Sequence, residues 1–344
     1  MSSDYLDEAY ERLKNTGPEF NGWLSNHGPM AADALIRIGH EGDLASWIDG
    51  YKTRLDERPR EHWRFEERDW QEYLGDPSRL GDWLALFERL AMSEPWKDTL
   101  ARWWPRLIPG ATASATHGLI RTGHAVRALL ERETLPRREE FGQALGYWAA
   151  RWQPVPKHLP LQGPRGYGLA MDHLPIHEME GGTRTRMLHV GDDPNWSETV
   201  ASAREPIDSA SVPEALTTIT DEAVRRYLRW GHGNAIMLVH SATAPRAAAL
   251  VLPALPGELW PMTFDYVWAA SAAIISSYRA KDSYRITAEQ QFALIPAEIA
   301  AGAAENRDEH VIKFVEVALE AHERGVSEAL AAGARAIELI TPNW

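Results

Sequence analysis

Residues 116–124 read Thr116-His117-Gly118-Leu119-Ile120-Arg121-Thr122-Gly123-His124, and this stretch decides the fold. Imidazoles seven residues apart share one face of an α-helix, about two turns from each other, with Ile120 between them on that face. The same periodicity runs over 115–132. Outward from it, Leu6, Tyr10 and Leu13 mark a short amphipathic helix, and Ala31, Ala34, Leu35 and Ile38 mark a second that stops at Gly39. Helical spacing predicts further elements near 42–53, 80–92, 96–107, 137–152, 221–250, 262–280 and 309–335. Strand-like alternation is scarce, and Gly17-Pro18, Asp76-Pro77-Ser78 and Pro109-Gly110 supply helix stops and starts. The expectation is a single all-α, multi-helix domain. The stretch 153–220 crowds Pro and Gly too closely for long elements and reads as a long, irregular insertion.

The chain has 344 residues, 44% of them hydrophobic, enough to bury a sizeable core, so a disordered or fibrous protein is not expected. Its formal charge of −13 opposes non-specific attraction to nucleic-acid phosphates and to anionic lipid. The 15 Trp residues read first as bulky fillers between helices and second as walls for a flat aromatic ligand. With Cys at 0, thiolate nucleophiles, iron–sulfur clusters and cysteine zinc sites are excluded, and a metal has to be held by His, carboxylate or a less usual ligand. The first residues, Met1 to Asn15, lack the basic start and apolar stretch of a secretion signal, and no run reads as spanning a bilayer, so the expected setting is the cytoplasm.

The sequence contains no dinucleotide fingerprint, Walker A loop, nucleophile elbow or HExxH motif. What remains is a set of His residues in apolar helical surroundings. His27 follows Ser25 and Asn26 and precedes Pro29, placing it in the first turn of a helix. His117 and His124 are too far apart along their helix for both to reach one ion easily, so one reads as a ligand and the other as a pocket wall. His240 interrupts the apolar run Ala235–Ala244, where an imidazole without a partner costs about 1–3 kcal/mol. His310 and Lys313 share a face near a helix start. A helical bundle can bring four such imidazoles to one interior point, and thiolate-free imidazole sites suit iron, zinc, copper or nickel.

In order and combination, several blocks resemble a bacterial member of the questin oxidase-like family, oxygenases of aromatic polyketide tailoring. They are Asn26-His27 with Leu35-Ile36-Arg37-Ile38-Gly39, His117-Gly118-Leu119-Ile120-Arg121-Thr122-Gly123, His240-Ser241-Ala242-Thr243 and Asp308-Glu309-His310-Val311-Ile312-Lys313. Leu259-Trp260-Pro261 and Tyr266-Val267-Trp268-Ala269-Ala270 add to them. The resemblance implies an oxygen-using enzyme acting on a planar polycyclic phenol or quinone, with Fe(II) as cofactor, O2 as co-substrate, and His27, His117, His240 and His310 as ligands. It joins Lys313 to His310. A free ammonium repels a cation, and capture of CO2 as a carbamate would turn Lys313 into an oxygen ligand. Trp260, Tyr266 and Trp268 are the expected substrate-binding walls of the pocket, and His124 the expected catalytic side chain lining it. Two other readings stay open: a metal-free helical protein that sequesters an aromatic ligand, and a metal-dependent hydrolase drawing on Asp33, Asp265 or Asp308.

Overall fold

A single helix, Ala235–Val251, runs through the middle of the protein with Val212–Trp230, His117–Glu131, Trp260–Tyr278 and Glu309–Glu323 packed around it. Small residues make this possible: Ala242, Ala244, Ala247 and Ala248 are all buried, and a Cβ on Gly123 would sit 2.7 Å from the Cβ of Ala247. Glycine at 123 therefore lets two histidine-bearing helices approach closely. The computed structural model describes residues 2–285 and 294–342. Helix accounts for 69% of the structure and strand for 2%, so the all-α expectation holds. Among the described residues the one sheet is a two-residue hairpin, Glu19–Phe20 paired with Leu24–Ser25, closed by Asn21 and Gly22 at positive φ.

Helix termini follow local chemistry. The Gly28–Arg37 helix ends where His40 N–H bonds the Leu35 carbonyl and Gly39 N–H bonds that of Ile36. The same pair of bonds, Val326 to Ala321 and Gly325 to His322, ends Glu309–Glu323. Gly325 sits at φ +90°, so the single helix expected over 309–335 is two, the second being Ala329–Leu339. The helix expected over 221–250 is also divided. Gly231-His232-Gly233 forms a tight turn after Trp230, and the Asn234 side chain caps the next helix by accepting from Met237 N–H at 3.0 Å.

The stretch 153–220 departs from the sequence expectation most. It contains the short helices Tyr167–His173, Thr183–His189 and Trp196–Ala201, and the long Val212–Trp230 helix already begins within it. Met171, Met187, Trp196 and Val200 are buried and join the main core, so apolar anchors seat this stretch although Pro and Gly keep its elements short. Nine of the 15 indoles are buried fillers: Trp47, Trp83, Trp103, Trp104, Trp148, Trp196 and Trp268 fully, and Trp96 and Trp230 nearly so. The apolar helix extending over Ala235–Ala254 has the length and composition of a membrane span, but 72% of its apolar window lies inside the protein as core.

Candidate metal centre

Four helices deliver the histidines, three of them from their first turn. His27 immediately precedes the Gly28–Arg37 helix, whose start holds Pro29, and its backbone N–H donates to the Tyr51 hydroxyl at 2.7 Å. His117 is the first residue of His117–Glu131 and follows Ser114, Ala115 and Thr116, all at positive φ. Such left-handed turns in non-glycine residues cost of order 1–3 kcal/mol each and persist only where the surroundings impose them. His310 opens Glu309–Glu323, where Asp308 caps the helix by accepting from the His310 N–H at 2.8 Å. His240 lies within the central helix.

The rings converge. Nε2 of His27 is 2.7 Å from Nε2 of His117, Nε2 of His240 is 3.0 Å from it, and the four histidines offer ligand atoms within 4.8 Å of one another. Two nitrogens on opposite sides of one ion are at most about 4.2 Å apart at metal–nitrogen distances of 2.0–2.1 Å, so small side-chain shifts close the set around a single ion.

The other ring nitrogens show which atoms face inward. Nδ1 of His117 meets the Ser114 carbonyl, Nδ1 of His240 meets the Met237 carbonyl at 3.2 Å, and Nδ1 of His310 meets Asp308 at 3.1 Å. Carbonyl oxygens only accept, so Nδ1 of His117 and of His240 carries the proton, and each of these two rings presents its bare Nε2 lone pair inward. Nδ1 of His27 has no hydrogen-bond partner and faces Glu309 at 3.6 Å. Burial above all holds His27, His117 and His240 well below the ordinary histidine pKa, with Lys313 and the neighbouring rings adding to the effect. The Nε2 lone pairs of His117 and His240, 3.0 Å apart, repel unless a cation lies between them, and the four-imidazole donor set fits a transition metal.

Lys313 is 1% exposed and its Nζ has no hydrogen-bond partner. Burial lowers its pKa to about 8, against the opposing pull of Glu309 and Asp308. Above the histidines opens a cavity of about 420 Å³ lined by all four, with Phe20, Trp23, Leu24, Ile236 and Met237 as its apolar wall. Ser25 and Ser114 also line it; the Ser25 hydroxyl lies 2.5 Å from that of Tyr147, which burial pushes up to about 12 and which Ser114 also hydrogen-bonds.

The expected aromatic walls are elsewhere. Trp268 is fully buried and donates to the Val200 carbonyl, Trp260 donates to the Leu255 carbonyl, and Tyr266 packs edge-on to His158; none of the three lines the cavity. His124 does not line it either, because its Nδ1 is held at 2.9 Å by Asp33, which Arg127 also binds. The periodicity places His124 on the face of His117, but two turns carry it past the cavity into this ionic cluster. Of the carboxylates considered at the sequence level, Asp33 serves that cluster, Asp265 binds His158 at 3.0 Å, and Asp308 orients His310. Glu309 and Ser114 were not legible as site residues, although Glu309 adjoins His310 in sequence. Comparison of the chain with protein-family models and with curated proteins finds no match.

Proposed function

We propose that this protein is a non-haem iron oxygenase resembling the questin oxidase-like enzymes, acting on a planar polycyclic phenol or quinone. The observation that carries the reading is the convergence of four imidazoles, with the Nε2 lone pairs of His117 and His240 meeting at 3.0 Å, in the lining of a cavity that also holds Phe20 and Trp23. The cavity's volume falls within the range of about 300–1,000 Å³ of small-molecule sites.

His27, His117, His240 and His310 would hold the ion, while Asp308 and the Ser114 and Met237 carbonyls fix ring orientation. Bound Fe(II) supplies the one-electron chemistry by which O2 reacts with a closed-shell ring. Lys313 supplies an anionic ligand after its neutral amine adds CO2, forming an N–C bond and releasing one proton to give a carbamate. A buried amine without a partner is the group this addition would satisfy. Phe20, Trp23, Leu24, Ile236 and Met237 receive the faces of the ring system and exclude water, and Ser25 and Ser114 offer hydroxyls to its oxygen substituents.

The test is metal analysis of freshly purified protein, followed by O2 uptake with a panel of hydroxyanthraquinones. About one iron per chain and substrate-dependent uptake are expected. Stoichiometric ligand binding without metal would replace this reading by a sequestering protein, and turnover without O2 would replace it by hydrolysis.

A further inference from the structure

Three arginines line the cavity: Arg54, Arg151 and Arg184. Arg151 is held by both oxygens of Glu19 at 2.6 Å, and Arg54 faces Glu309 at 3.4 Å while lying over the Phe20 ring. Arg184 differs: among the described residues no carboxylate lies within ion-pair distance of it, and its side chain is exposed. Its backbone is nevertheless anchored. Gln153, 3% exposed and itself part of the lining, donates from Nε2 to the Arg184 carbonyl at 3.2 Å. In a chain of charge −13, an arginine with no carboxylate partner among the described residues is thus held by its backbone in the lining of the cavity, where the other two arginines are already paired.

A second observation concerns the same cavity. Trp23 lines it and yet is 63% exposed, whereas most other indoles are core. An exposed indole at the rim of a cavity is a stacking surface for a ring that protrudes.

Resting on the oxygenase reading for its ring system, we infer that the ligand is a planar aromatic bearing a carboxylate on its outer ring, the one beside Trp23 and Arg184. Trp23 stacks that outer ring and Arg184 pairs with its charge. Arg184 is then a specificity-determining residue supplied by the 153–220 stretch.

The experiment uses the full-length metal-loaded protein and two probes: a hydroxyanthraquinone and the same ring system bearing one carboxylate. Dissociation constants come from calorimetry for the wild type, Arg184→Gln and Trp23→Ala. The carboxylated probe should bind the wild type about three- to tenfold more tightly than the neutral one, a ratio that shrinks with added salt. Arg184→Gln should abolish the preference and leave the neutral probe's affinity unchanged, and Trp23→Ala should weaken both probes. Equal affinities in the wild type, or a preference that survives Arg184→Gln, overturn the assignment while leaving the aromatic reading intact. Failure of both probes to bind overturns the polycyclic substrate class itself, and this inference with it.

Discussion

Arg127 donates to one oxygen of Asp33 through both Nε, at 3.0 Å, and Nη2, at 2.5 Å, in the protein interior. Its remaining nitrogen, Nη1, donates to Glu316. Asp33, Arg127 and Glu316 belong to the helices at whose N-terminal ends His27, His117 and His310 stand, so one guanidinium clamps three of the elements that position the histidines. Burial by itself would raise the Asp33 carboxyl, but Arg127 and the His124 hydrogen bond hold it well below the usual carboxylate range. Arg127→Met takes the shared cation from two buried carboxylates, leaving Asp33 only Arg37 at 3.3 Å, and should cost about 3–5 kcal/mol, read from urea melts of the metal-free protein. A loss below about 1 kcal/mol would show that the cluster is solvated in solution.

Single replacement of His27, His117, His240 or His310 by Ala should weaken metal binding at least about tenfold, because each removes one of four converging donors. His124→Gln should keep the wild-type metal content, since that ring serves Asp33. Elemental analysis after dialysis at fixed free metal measures both, and metal loss confined to His124→Gln would reverse the ligand assignment.

Lys313→Met replaces a buried amine that lacks a partner with an apolar side chain of similar length. The metal-free protein should gain about 1–3 kcal/mol in urea melts, because a desolvated polar group is removed. Iron retention should fall in the same variant, and bicarbonate should speed iron reloading of the wild type only. Iron retained at wild-type level by Lys313→Met would exclude Lys313 as a ligand.

Acidification should destabilise the metal-free protein. Burial holds His27, His117 and His240 neutral well below the pKa of about 6.5 at which they titrate once unfolded. The unfolded chain therefore binds more protons as pH falls through 6.5, and stability that is complete above that pH drains away below it. The slope tends to about 1.4 kcal/mol per pH unit for each ring. Lys313 acts with the same sign at the alkaline end: its pKa is about 8 in the fold and about 10.4 unfolded, so its contribution to stability rises between those values. Urea melts across a pH series on chelator-treated protein read both limbs, and the alkaline limb should vanish in Lys313→Met.

Much of this architecture is written locally. The period of Leu6, Tyr10 and Leu13, the 115–132 stretch and the Gly39 stop each specify a helix or its end through contacts within a few residues, which is why the all-α class and most helix positions are legible in the sequence. Where the reading ran too long, at 221–250 and 309–335, the apolar period continues across Gly231–Gly233 and Gly325, and only backbone geometry reveals the breaks. The histidines were legible as polar groups in apolar helices, but their meeting depends on how four helices separated by up to 283 residues cross, which no local pattern encodes. The same holds for the walls of the cavity. Sequence placed them at Trp260, Tyr266 and Trp268, whereas packing buries Trp268 against Val200 and assigns the wall to Phe20, Trp23 and Met237, because the hairpin and the capped start of the central helix end beside the histidines. Helix formation is a short-range property of the chain, whereas the direction in which a side chain faces at the end of a helix is set by its long-range neighbours.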